Sequence, residues 1–497
     1  MKEKTIIIIG AGIAGLSAGC YGQMNGYQTQ IFERHDKPGG LCTSWKRKSY
    51  IIEGGFHGLA GSSTAIPFHT MWSELLDMSS ISFISDNMKD VFEFEDGNRF
   101  YLYSNLDRLE KYIKGIAPED SQVIDEFIAG VRHFRKFRMP IEKPRELYGI
   151  RDYLKMLKYL PMLSFMRKWL NTSADEFAGK FKNPLLRNAM RYLQSPVLYE
   201  MMVLWAMDLK ASGYPTCGVL EFANLIKKRY LSLGGEVHYN SKVTKILTKD
   251  HTAMGIETDD GKQYISDIVI SAADGKTTID EMLGGRYTNK KLAELYANTE
   301  LNTSRVLIYL GVDSLLDDIS FKTKYILNEE KPFVIADGTS YKSIDLLKFS
   351  NLPHIVPPNK SLVRIELETR GDQFWTRLRE DRKNYLQVKE MLASDIIAIL
   401  DKRLRGIKNK IDMIDVVTPA TFIRYTGNWR GSIQGWQSEN IFKSNPFKKK
   451  LKGLLNFYMC GQWVEPGGGV PTAALSGRTL IQIICKQDKR PFVTSNA

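Results

Sequence analysis

Gly10, Gly12 and Gly15 form the pattern Gly-x-Gly-x-x-Gly directly after the apolar run Thr5 to Ile9. A diphosphate needs a backbone it can approach closely and free N–H groups at a helix start, and glycines at this spacing supply both. Glu33 follows eighteen residues past Gly15, where a carboxylate accepts hydrogen bonds from a ribose and disfavours a 2′-phosphate. Dinucleotide binding is therefore the chemistry expected here. An overlapping stretch, Gly15-Leu16-Ser17-Ala18-Gly19, formally matches the Gly-x-Ser-x-Gly elbow of hydrolases. An elbow serine sits on the sharp turn after a strand, whereas Ser17 falls inside the helix, where it is expected to pack as a small residue.

The remaining reactive side chains narrow the chemistry. Cys20, Cys42, Cys217, Cys460 and Cys485 are scattered and show no Cys-x-x-Cys spacing, so neither a disulfide framework nor a zinc site is expected. The seven histidines are dispersed, without a His-Glu-x-x-His motif, and no metal is assigned. A reducing cytoplasm is the expected setting.

Elements must position these groups. Thr5 to Ile9 reads as a strand buried on both faces, followed by an alanine-rich helix ending near Asn25-Gly26 and a second strand, Gln28 to Phe32. Ser62 to Lys210 reads as a helical insertion broken at Pro140, Pro161 and Pro196. A helix from Gly218 to Leu233 precedes short strands at Glu236 to Tyr239, Val243 to Leu247, Met254 to Thr258, Gln263 to Ser266 and Ile268 to Ser271. Arg305 to Val312, Tyr325 to Leu327, Phe333 to Ala336 and Leu362 to Glu368 read as a second sheet, with a helix at Asn384 to Arg403. The strand Phe457 to Cys460, a glycine loop and a helix from about Ala473 to Ile484 close the chain.

At 497 residues the chain exceeds one compact core, and about one domain per 150 residues suggests two or three. The N-terminus imitates a signal peptide through Lys2, Lys4 and the run Ile6 to Gly22, with Ser17-Ala18-Gly19-Cys20 resembling a lipoprotein box. Five glycines within that run argue against it. No stretch reaches the roughly 18 to 20 apolar residues of a membrane span. Net charge is +13, and residues 132–138 and 155–170 mix cations with large apolar side chains. Two readings stand: docking on an anionic membrane, or a core-facing helix with a solvated basic face. No nucleic-acid-binding motif accompanies the charge, so no nucleic acid partner is expected.

Three further glycine-rich segments decide between dinucleotides: Pro38-Gly39-Gly40, Glu53-Gly54-Gly55-Phe56-His57-Gly58, and Gly461-Gln462-Trp463 through Pro466-Gly467-Gly468-Gly469-Val470-Pro471 to Ser476-Gly477-Arg478. With the first turn, they resemble, in order along the whole chain, the phytoene desaturase, carotenoid isomerase and retinol saturase branch of the FAD-dependent amine oxidase-like superfamily. Thr421-Phe422-Ile423-Arg424-Tyr425-Thr426-Gly427, with Gly431-Ser432 and Gly435-Trp436, is similar to its isomerase and saturase side.

The resemblance implies an α/β fold: a Rossmann-like FAD-binding domain of glutathione reductase type with a discontinuous α+β substrate domain. The FAD-binding domain would comprise residues 1–61, 213–275 and 453–497, and the substrate domain residues 62–212 and 276–452. FAD would be held non-covalently. Gly10, Gly12, Ile13, Ala14 and Gly15 would meet its diphosphate, Glu33 its ribose, and Val243 its adenine through the backbone, with Arg34 also lining the cofactor. Gly39, Gly40 and Leu41 would run beside the diphosphate and ribityl chain, near Gly55. Gly461 would meet the diphosphate again, Gln462 would also line the cofactor, and the loop Gly467 to Val470, with Gly468 and Gly469, would lie against the flavin ring. His57 is the titratable side chain placed nearest the flavin, with a packing role as its alternative; Arg424 and Tyr425 are weaker candidates.

Amine oxidases commonly carry arginine after the Gly-Gly pair, and Leu41 stands here. The expected activity is therefore oxidoreduction at C=C bonds of a lipophilic polyene, retinoid or fatty-acyl substrate: desaturation, saturation or isomerisation. The alternatives are an amine or amino-acid oxidase, and a non-catalytic flavin-containing protein that binds a membrane or partner. No second Gly-x-Gly-x-x-Gly marks a nicotinamide domain, so an external quinone, oxygen or redox protein would exchange electrons, unless they return to the substrate. The expected location is cytoplasmic, or peripheral on the inner face of the membrane.

Overall fold

The computed structural model describes residues 3–85, 87–317, 319–327, 330–350, 352–437, 447–465 and 467–494. Five parallel strands form the first sheet, in the order Glu236–His238, Tyr27–Phe32, Lys4–Ile9, Ile268–Ser271, Phe457–Met459. Lys4–Ile9 lies at its centre, with Ile6 beside both Thr29 and Ile268. Its side chains alternate across the sheet as a pleated strand requires. Ile6 and Ile8 join the core beneath the helices Ile13–Met24, Val219–Ser232 and Val470–Gln487, and Ile7 and Ile9 join the core of the antiparallel meander spanning Val243–Lys249, Thr252–Thr258 and Gln263–Ile265.

The second sheet has seven strands, ordered Ile411–Val417, Ser304–Val312, Ser361–Thr369, Ser343–Phe349, Lys322–Ile326, Met88–Glu93, Arg99–Tyr103. One face packs Val306, Ile308, Val363 and Ile365 against the helix Arg382–Arg403. The other turns Leu307, Tyr309, Phe349 and Leu362 toward the first core.

Several sequence expectations need correction. The stretch from Ser62 to Lys210 is not wholly helical: Met88–Glu93 and Arg99–Tyr103 pair with each other and extend the second sheet. Local apolar density cannot tell a buried strand from a buried helix, and only the parallel partner Lys322–Ile326 decides it. Phe333–Val334 pairs with Ser340–Tyr341 in a separate ribbon, outside the second sheet. Pro161 opens a helix, Leu160–Leu170, where its missing N–H costs nothing. The last helix begins at Val470, three residues ahead of the expected start. Among the described residues no helix is long and apolar enough to cross a membrane.

The first and last helices cross at van der Waals distance. A Cβ on Gly477 would stand 2.6 Å from both the Ala14 carbonyl oxygen and the Ala18 nitrogen. Ser17, fully buried, donates its hydroxyl to Ala474 O at 2.7 Å, which accounts for it as a packing residue. Gly477→Leu is expected to destabilise the protein by about 1–3 kcal/mol through overpacking. A thermal melt equal to that of the wild type would refute this crossing.

Candidate active site

The first glycine turn folds as its spacing demands. Gly10 has φ +98°, and a Cβ on Gly15 would lie 2.0 Å from Gly10 O, so a side chain at Gly15 would push the helix off the strand. Gly12 differs: its backbone is ordinary at φ −66°, and a Cβ there would meet nothing within 4 Å. The space above the helix start is therefore open. No side chain caps this end and no acid lies in its first turn, so the N–H groups of Ile13 and Ala14 and the positive dipole end face that opening. A diphosphate fits this cradle.

Two segments wall it. Gly39 donates its N–H to Ala11 O at 2.8 Å, and its φ of +105° turns the chain so tightly that a Cβ would strike Cys42 O at 2.1 Å. Gly40 lies against the Gly12 Cα, and Leu41 is half-buried beside Gly54. Glu33 is buried and spans the turn: Oε2 accepts the Ala11 N–H at 2.7 Å and Oε1 the His35 N–H at 2.9 Å. Burial pushes its carboxyl upward, while these two donors oppose the shift. Each oxygen keeps a second lone pair for a ribose hydroxyl. Ser241 donates its N–H to Glu33 O, which sets Val243 two residues further along the same edge. Arg34 is exposed and donates to Arg424 O at 3.4 Å, and the Tyr425 ring lies 5.7 Å from that of His35. Arg424 and Tyr425 thus stand beside Arg34 and His35.

The terminal glycine loop reaches the same helix start. Gly461, at φ +93°, lies close to Ala14 and donates its N–H to the Ser476 hydroxyl at 2.8 Å. Gln462 packs against Gly435, and Gly468 against Gln434, so tightly that neither glycine could carry a side chain. Gly467, Gly468 and Gly469 all have positive φ, and the last helix opens after Gly469 without a side-chain cap or acid in its first turn. Pro466 lies outside the described residues. A second uncapped helix start is therefore offered to an electron-rich group. Burial pushes the Cys42 and Cys460 thiols up to about 12, which leaves both protonated and poorly nucleophilic.

Between the two sheets lies a charge cluster. The hairpin Ser44–Arg47 with Tyr50–Glu53 leads into Gly54, Gly55 (φ +41°, open above) and His57. Buried Glu53 anchors this loop by accepting the Tyr214 hydroxyl at 2.6 Å and the Val219 N–H at 2.8 Å. His57 Nε2 stands 2.8 and 2.9 Å from the two oxygens of Glu366. Arg364 reaches Glu366 at 2.7 Å and the Phe56 carbonyl at 3.0 Å, and Arg305 reaches Glu366 at 3.0 Å. The two guanidiniums and His57 outweigh desolvation and hold the Glu366 carboxyl well below the usual range. Burial lowers the His57 pKa against the pull of that carboxylate. Because His57 Nε2 faces a carboxylate it is the donor of this contact, and Nδ1 has no partner among the described residues. Its side chain keeps 44% of its surface accessible while Glu366 keeps 7% and Arg364 none, so the ring borders an opening and its partners form the floor.

Sequence reasoning missed Glu53, Arg305, Arg364 and Glu366. The signal existed in Val363-Arg364-Ile365-Glu366-Leu367-Glu368, where charge alternates with apolar residues along one strand. Alternation ordinarily marks a solvated face, and here that face is covered by the loop carrying His57.

Comparisons with known proteins agree with this geometry. Residues 13–278 match the family described as flavin containing amine oxidoreductase. The 1-hydroxycarotenoid 3,4-desaturase of Flavobacterium sp. (strain P99-3) is 24% identical over 97% of this chain and 99% of its own length. The lycopene-forming phytoene desaturase of Paracoccus sp. is 24% identical over 97% of both chains, and the chloroplastic prolycopene isomerase of Daucus carota is 24% identical over 96% of this chain and 79% of its own. Among solved structures, an oxidoreductase from Methanosarcina mazei superposes with a TM-score of 0.60 at 17% identity, covering 96% of this chain and all of that one. Putrescine oxidase bound to putrescine superposes at 0.59 and 13%, covering 97% and 99%. With more than half its length matched, and both helix starts open to a dinucleotide, the chain belongs to the flavin containing amine oxidoreductase family and is an FAD-dependent oxidoreductase.

Proposed function

We propose that this enzyme forms, removes or relocates a C=C bond in a lipophilic polyene, retinoid or fatty-acyl substrate drawn from a bilayer. The observation that carries the reading is the likeness to carotenoid desaturases and isomerases over 96–97% of this chain. Leu41, where amine oxidases commonly carry arginine, argues the same way. FAD, bound non-covalently, supplies a two-electron hydride acceptor or donor. We propose that residues 1–61, 213–275 and 453–497 bind it and that residues 62–212 and 276–452 bind the substrate.

In this reading the N–H groups of Ile13 and Ala14, with Gly10, Gly12 and Gly15 leaving room, hold the diphosphate. Gly39, Gly40, Leu41, Gly55, Gly461 and Gln462 flank the diphosphate and ribityl chain. Glu33 and Arg34 meet the ribose, and Val243 the adenine. Gly468, Gly469 and Val470 present the last helix start to the flavin O2 edge. His57 moves the proton: its free Nδ1 accepts or returns it while Glu366 holds the ring. Phe56, Tyr214 and Phe349, with ring centroids 5.8 and 5.6 Å apart in sequence, exclude water beside this group. An external quinone, oxygen or redox protein exchanges electrons with the enzyme.

Three outcomes are expected. Gly12→Ala leaves the melt of the flavin-free protein unchanged, because its Cβ enters open space. It weakens FAD by at least about tenfold, or ~1.4 kcal/mol, in a fluorescence titration; unchanged affinity would remove the diphosphate from this turn. The anaerobically reduced holoprotein is reoxidised by a detergent-dispersed polyene or quinone, and peroxide production from putrescine or amino acids without such reoxidation would establish an amine oxidase instead. The desolvation that lowers the His57 pKa places the acid limb of the turnover profile below the ordinary histidine value of about 6.5. His57→Gln abolishes that limb and slows turnover about 10²- to 10⁴-fold, whereas a retained limb would assign the proton to another group.

A further inference from the structure

Residues 150–160 reverse the usual arrangement of apolar side chains. The helix Ile150–Met156 and the turn Leu157–Tyr159 bury no residue. Ile150 is 81% exposed, Tyr153 61%, Leu154 60%, Leu157 54% and Leu160 56%. Five of the sixteen large apolar side chains exposed among the described residues fall in these eleven positions, so the patch is not the scatter found on any surface. The spacing 150, 153, 154, 157 places four of them on one helical face. Arg151, Lys155 and Lys158 form the adjacent stripe, and all three are exposed. No ion pair joins any of the three to a carboxylate of the described residues; Asp152, on the same helix, pairs with Lys143 at 2.7 Å.

The charge is regional as well as local. Residues 132–168 contain eleven Lys and Arg against three Asp and Glu, which accounts for eight of the chain's net +13. The ridge also has a rigid base. In the following helix, Leu160–Leu170, Met162, Met166 and Trp169 are buried in the helical core. Tyr159 donates its hydroxyl to Arg138 O at 3.1 Å, and beyond Arg138 the chain is held by the last helix, where Gln482 donates to Glu142 O at 2.6 Å and Arg478 to the same oxygen at 3.1 Å. The ridge is thereby braced against the helix whose N-terminus opens the flavin site.

We propose that residues 150–160 are a peripheral docking ridge for an anionic lipid bilayer. Ile150, Tyr153, Leu154, Leu157 and Leu160 enter the acyl boundary, and Arg151, Lys155 and Lys158 meet the headgroups. The bilayer is chosen over a second copy of this chain because such a copy would bring the same unpaired cations against these. The inference deepens the reading of a lipophilic substrate by naming the surface from which it is drawn.

The test is flotation of the full-length holoprotein with vesicles of phosphatidylcholine and phosphatidylglycerol, and with phosphatidylcholine alone. The wild type floats with the anionic vesicles, less with the neutral ones, and less at high salt. Leu154→Ser with Leu157→Ser, and separately Lys155→Glu with Lys158→Glu, each lose at least about tenfold in binding. Both double variants retain the melt, the flavin absorbance and reoxidation by detergent-dispersed substrate. Wild-type protein left unfloated with anionic vesicles would overturn the proposal, as would variants that float equally well. So would a wild-type dimer that the leucine variant converts to monomer without any flotation. Failure of reoxidation with flotation intact would strike the substrate reading alone.

Discussion

The crossing of the first and last helices, close enough to exclude any side chain at Gly477, is the constraint on which the rest of the structure depends. It brings two helix N-termini, separated by more than 450 residues of sequence, into one site. Each begins after a glycine, each lacks a side-chain cap, and each directs unsatisfied N–H groups outward. A helix end left without partners costs stability unless something satisfies it, and both ends are left open to an electron-rich group. The central strand Lys4–Ile9, buried on both faces, carries the first helix to this point, and Phe457–Met459 carries the last.

A different physical principle operates on the other side of the site. The second sheet turns Arg305, Arg364 and Glu366 inward, where isolated charges would be very unfavourable. They persist because two guanidiniums share one carboxylate and that carboxylate accepts from His57. Glu53, fixed by Tyr214 and the Val219 N–H, holds the loop that delivers the imidazole. The two sheets are thus joined by a polar contact in which the ring is the accessible member and its supports are buried.

Much of the cofactor side was legible from the order of residues. Gly10, Gly12, Gly15 and Glu33 are local: a tight turn, a close approach and the end of the next strand are all set within thirty residues, so spacing alone exposes them. The five strands of the first sheet were likewise readable, because Thr5 to Ile9, Ile268 to Ser271 and Phe457 to Cys460 are short apolar runs, and Gly26 and Gly235 mark where the other two begin. The second sheet was harder. Met88–Glu93 hides inside an apparently helical stretch because its near-complete burial erases the period that distinguishes strand from helix, Arg99–Tyr103 alternates over only five residues between helical neighbours, and Phe333–Val334 pairs outside the second sheet.

The sequence by itself determined that the chain binds a dinucleotide and marked the two glycine segments, at the first helix and near the C-terminus, as its candidate cradle, since close approach of a ligand to backbone favours residues without a side chain. It also marked residues 155–170 as both basic and apolar. Only the tertiary structure decided which way those side chains face, because an amphipathic helix reads identically whether its apolar stripe is covered or bare. Only the tertiary structure found Glu366, for the partner of a histidine 309 positions away is chosen by strand pairing, and register between distant strands leaves no mark on either one alone.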